Sequence, residues 1–69
     1  MDSLYLARIR KRKSQLDVAI RCGFSQPKYS LIERGYVCPN EAEKSLIANA
    51  LEIEAASIIW PSPLIEEEN

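Results

Sequence analysis

Gln26, Ser30 and Arg34 recur four residues apart, with Lys28 and Leu31 between them. On a helix, residues at this spacing share one face, so an amide, a hydroxyl and a guanidinium would project side by side. These groups hydrogen-bond and attract anions; they do not make or break covalent bonds. The Gln26 amide can pair bidentately with adenine N6 and N7. Lys28 and Ser30 can reach a phosphate or a base edge, and Leu31 either packs against a thymine methyl or joins the core. Gln15 opens another helical stretch and would offer its amide and nearby backbone N–H groups to a phosphate, or serve as a polar first-turn residue.

The segment from 14 to 35, SQLDVAIRCGFSQPKYSLIERG, has the features needed to position these side chains. Ser14 can cap a helix and Asp17, three residues on, completes a capping box. Val18, Ala19 and Cys22 form its apolar stripe, and Gly23 ends it where a left-handed backbone is cheapest. Ser25 can cap a second helix whose inner face is Tyr29 and Ile32, and Gly35 closes it. Two helices joined by the short turn Gly23-Phe24-Ser25, with a polar outer face, have the geometry that presents a helix to the DNA major groove.

Gln15, Ala19, Gly23, Ser25-Gln26 and the ending Ser30-x-Ile32-Glu33-x-Gly35 together resemble the helix-turn-helix of the Cro/phage-repressor (XRE) family. The resemblance extends less strictly from Leu4 to Ile59. It implies an all-α, compact five-helix domain of the lambda-repressor-like kind and sequence-specific binding of double-stranded DNA, with Gln26 at a base-reading position. It also implies that Arg34, Tyr36 and Asn40 lie where a loop crosses the phosphate backbone, and that Arg8 pairs with Glu33 to fix the angle between helices. Pro27 stands where related repressors often carry a polar reader, which leaves one apolar contact there. The run Arg10-Lys11-Arg12-Lys13 replaces the usual glycine and apolar residue, and reads as a phosphate clamp or a solvated helix end. Glu41 and Lys44 replace positions that are usually apolar in the family's fourth helix.

The net charge of −1 is unevenly distributed. Residues 1–35 hold eight basic and three acidic side chains, a net of +5, whereas residues 36–69 hold Lys44 against seven glutamates, a net of −6. A chain polarised in this way can turn its basic half to phosphates and its acidic half away, or carry two solvated faces of opposite sign. Sixty-nine residues with 46% hydrophobic content suit one small domain. The expected helices cover about 3–12, 15–22, 26–34, 41–51 and 55–60. Leu4, Ala7 (or Leu6) and Ile9 face inward in the first, and Leu46, Ile47, Ala50 and Leu51 in the fourth, which Asn40 caps. A domain at 1–60 would then be followed by a flexible acidic tail at 61–69. Ile58, Ile59 and Trp60 either anchor a homodimer or close the monomer's own core.

The chain contains no histidine, no metal-ligand cluster and no phosphate-binding glycine loop, so catalysis is the least expected function and neither cofactor nor metal is implied. Cys22 and Cys38 lack zinc-site spacing and read as reduced structural thiols. No apolar run approaches bilayer length and the N-terminus lacks a secretory h-region, so a cytoplasmic protein without membrane contact is expected. The alternative to DNA binding is a helix-turn-helix protein-interaction module, such as an antitoxin or adaptor, with a protein partner.

Overall fold

A computed structural model describes residues 1–61, and in it four α-helices each begin on a capping side chain. Ser3, Ser14, Ser25 and Asn40 have extended backbones, and the side-chain oxygen of each accepts the N–H of the residue three further on. The helices that follow are α1 (Leu4–Arg10), α2 (Gln15–Cys22), α3 (Gln26–Glu33) and α4 (Glu41–Leu51). Asp17 returns a bond to the Ser14 N–H, and Glu43 does the same for Asn40, so α2 and α4 each carry a complete capping box. This is a small, mostly helical domain.

Every helix is followed by a residue in the left-handed region. Gly23 (φ 76°) and Gly35 (φ 84°) take this conformation after α2 and α3, but Arg12 (φ 57°) and Glu52 (φ 59°) take it after α1 and α4. A side chain in that conformation costs roughly 1–2 kcal/mol relative to right-handed backbone. Arg12 is exposed, so Arg12→Gly should raise stability by about 0.5–1 kcal/mol and the melting temperature by several degrees. Thermal unfolding that shows no rise, or a fall, would mean that the Arg12 side chain makes a stabilising contact that outweighs its backbone strain.

Leu4, Val18, Tyr29, Ile32, Ile47 and Leu51 are fully buried and form the centre of the core. Ala19, also at 0% exposure, lets neighbouring helices approach α2, which packs against both α3 and α4. Truncating one of the large aliphatic side chains here to alanine would cost about 2–5 kcal/mol. Two inward assignments differ from the sequence expectation. On α1 the inner stripe is Leu4, Ala7 and Arg8, and Ile9 is 44% exposed. The Arg8 guanidinium has a buried carboxylate to meet, which sets the rotation of that helix. On α4, Ala48 takes the buried place expected of Leu46, which faces outward.

The fifth helix expected at 55–60 does not form. Ala55–Ser57 make one 3₁₀ turn, and Ile58–Ile59 then run as a strand, β2, parallel to β1 (Asp2–Ser3), with Asp2 beside Ile58 and Ser3 beside Ile59. Two β-branched residues just ahead of Pro61 favour extended backbone, and the N-terminal residues supply hydrogen-bond partners that a local reading cannot foresee. Of the acidic tail expected at 61–69, only Pro61 lies within the described residues.

Candidate nucleic-acid interface

The angle of α3 is set by the carboxylate at its end. Glu33 Oε2 accepts hydrogen bonds from Arg8 Nε at 2.7 Å and Tyr29 Oη at 2.9 Å. Its Oε1 accepts from Arg8 Nη2 at 3.1 Å and Gln15 Nε2 at 2.9 Å. The Arg8 and Glu33 side chains are only 10% and 4% exposed. Arg8 Nη1 also donates to the Lys13 carbonyl at 2.8 Å, and the Tyr5 ring lies 5.5 Å from the guanidinium. One carboxylate thus joins α1, the first residue of α2 and α3 through a bidentate ion pair and two neutral donors.

Burial opposes the charge on Glu33, but the hydrogen bonds from Arg8, Gln15 and Tyr29 outweigh it and hold the carboxyl below its ordinary pKa. Burial, reinforced by the neighbouring carboxylate, pushes the Tyr29 phenol far up, so it remains a donor. The network also engages Gln15. The Gln15 amide, read from sequence as a phosphate contact or a polar first-turn residue, gives one N–H to Glu33, which leaves the other as its free donor. The Asp17 and Val18 N–H groups in that turn are also taken by Ser14, so Gln15 and Leu16 supply the remaining first-turn backbone donors.

Outside this network, α3 presents Gln26, Pro27 and Leu31 to solvent, with Ser30 half-buried. Pro27 is the second residue of α3, where no intrahelical N–H bond is lost. Leu31 remains 38% exposed and so does not join the core. Lys28 is less free than its sequence position suggests. Its Nζ lies 2.8 Å from Glu43 Oε2 and 4.6 Å from the centroid of the Phe24 ring. Glu43 was not evident as a site residue. The Asn40-x-x-Glu43 pattern announces a capping box, but nothing local announces its second bond to Lys28.

The flanking candidates fall into three groups. Arg10, exposed, pairs with Asp2 at 3.0 Å; Lys11 and Arg12 are exposed and Lys13 is half-buried. Arg34 lies over the Tyr36 ring at 5.1 Å, both exposed. Asn40 spends its side-chain oxygen on the Glu43 N–H, leaving its amide nitrogen as the group able to reach a phosphate. Among the dimer candidates, Ile58 is buried at 3% in the monomer's own core and is therefore not a surface anchor. Trp60 is half-buried, its Nε1 donates to the Ala55 carbonyl at 3.1 Å, and Lys44 Nζ lies 5.8 Å over its ring. Ile59 is 56% exposed.

Cys22 and Cys38 are free thiols, and burial pushes the Cys22 thiol up, which keeps it protonated and unreactive. Among the described residues no group of three His, Cys, Asp or Glu side chains could hold a metal ion, and no helix is long and apolar enough to cross a membrane. No family model, curated protein or solved structure matches this chain.

Proposed function

We propose that this protein is a helix-turn-helix DNA-binding regulator of the Cro/phage-repressor type, a cytoplasmic repressor that occupies a promoter with α3 in the major groove. The observation that carries the reading is the Glu33 network: it sets α3 rigidly across α1 and α2 while Gln26, Pro27 and Leu31 remain on the outside. A reading helix must be held at a fixed angle by contacts that leave its outer face free. The excess of basic residues in positions 1–35 supports the same reading.

The test is binding of duplex DNA as a function of salt, followed by selection of sites from random sequence. If one copy neutralises about four phosphates, affinity should fall about a hundred-fold between roughly 50 and 200 mM salt. Binding that does not change with salt, or selection that enriches nothing, would overturn the proposal. A second reading, a protein-interaction module of the antitoxin or adaptor kind, is favoured by Leu16 and Ile20, which lie one turn apart on α2 and are 49% and 67% exposed. Its apolar contact would be nearly insensitive to salt.

The reading includes a homodimer, because one recognition helix reads only a few base pairs and a palindromic operator needs two. Ile59 and the outer side of Trp60 are the parts of the expected anchor that remain accessible. Ile59→Lys should give a folded monomer with at least about ten-fold weaker binding to a palindromic site. Mass in solution measured beside circular dichroism distinguishes loss of pairing from unfolding. A wild type that saturates its site as one copy would remove the dimer from the proposal.

A further inference from the structure

Lys28 is the one cation within α3, since the helix sequence is QPKYSLIE. Its charge, like that of Glu33, is answered from another element. Glu43 reaches it from the first turn of α4, and the Glu43 carboxylate is fixed before Lys28 meets it, because Oε1 accepts the Asn40 N–H at 2.9 Å while Oε2 meets Lys28 Nζ at 2.8 Å. The Phe24 ring flanks the ammonium on another side. A carboxylate held by a capping box loses little further side-chain freedom on pairing, so the ordering cost of this ion pair falls mainly on Lys28. The helix's one acidic residue, Glu33, is spent inside on Arg8. The outer face of α3 is thereby left without net charge.

We infer that Glu43 is a specificity-determining residue: by holding Lys28 away from the groove, it biases the readout of α3 towards A·T pairs and against guanine. The inference rests on the DNA-binding reading and deepens it. Guanine presents two acceptors, O6 and N7, and is met best by a free Lys or Arg. Adenine is met by an amide, which Gln26 supplies, and the thymine methyl by apolar groups, which Pro27 and Leu31 supply. A free lysine at position 28 would add a guanine contact and a phosphate attraction that the observed arrangement suppresses. Glu43 therefore exchanges general affinity for selectivity.

The experiment compares site selection from random duplex DNA, and salt-dependent binding to one non-specific duplex, for the wild type, Glu43→Gln, Glu41→Gln and the double variant Lys28→Met/Glu43→Gln. Glutamine at 43 can still accept the Asn40 N–H, so the capping box survives while the ion pair is lost. Glu41 lies in the same turn of α4 and pairs with Lys44 instead, so its variant changes net charge equally without touching Lys28. The expected result is a wild type that selects A·T pairs opposite α3. Glu43→Gln should gain guanine at one of those positions, bind non-specific DNA about three-fold more tightly, and steepen the log–log salt slope by about 0.9. Adding Lys28→Met should remove all three gains. An unchanged Glu43→Gln profile, or the same gain from Glu41→Gln, overturns the inference while the DNA-binding reading stands. A wild type that enriches no sequence and ignores salt overturns the reading beneath it as well.

Discussion

Arg8→Met should bring the domain close to unfolding at room temperature, with a loss of about 3–5 kcal/mol, because it strands a buried carboxylate. Glu33 is 4% exposed and would keep only Gln15 and Tyr29 as donors. Glu33→Gln should be costly for a complementary reason, since its new amide hydrogens would face donors where the carboxylate offered acceptors. The two effects should not add. In urea unfolding, the double variant should be more stable than the sum of the single losses by at least about 1–2 kcal/mol, the signature of groups that share one network. The wild type should also carry a pH signature. Glu33 is held below its unfolded pKa of about 4.3, so its contribution is complete above that value and disappears as pH falls through the folded pKa. Arg8→Met should flatten this acid limb. Additive single losses with an unaltered acid limb would mean that the two side chains are not coupled.

Gln26→Ala should abolish preference at one base position, at a cost of about 1–3 kcal/mol on the preferred site and little on others. Gln26 is the first residue of α3, exposed and outside the Glu33 network, so folding should be untouched and the loss assignable to recognition. Its weight is large because its neighbours offer so little: Pro27 has no donor, Leu31 no polar group, and Lys28 is paired with Glu43. Binding to a panel of single-base operator variants, with unfolding measured in parallel, gives the answer. Equal discrimination by mutant and wild type across the panel would exclude Gln26 as a reader.

The parts of this structure that were legible in the sequence are those written locally. Ser14 with Asp17, Ser25, Asn40 and Gly23 mark helix ends within four residues of the groups they satisfy, and the observed boundaries of α2 and α4 match the expected ones. The Arg8–Glu33 contact is long-range and became legible only through a resemblance in pattern. Contacts that join distant segments without such a pattern were missed. Ile58 and Ile59 suit a helix stripe or a strand equally well, and only the N-terminal residues beside them decide. Gln15 suits a phosphate contact until Glu33 arrives beneath it, and Lys28 looks free until α4 folds across. At each of these positions the deciding partner comes from a distant part of the chain and no local pattern announces it.

The parallel pairing of Asp2–Ser3 with Ile58–Ile59 has a consequence for the order in which the protein assembles. It closes nearly the whole described chain into a loop through two residue pairs, with Ile58 buried in the core behind them, so it carries a large ordering entropy for little hydrogen bonding. The contacts between α2 and α3 close shorter loops, the Gln15–Glu33 hydrogen bond spanning 18 residues, and form at a smaller entropic cost. The strand pair is therefore expected to form after the contacts between α2 and α3. Hydrogen exchange should then show the strand-pair amides less protected than those of α2 and α3, and equal protection would mean that the whole domain opens as one unit.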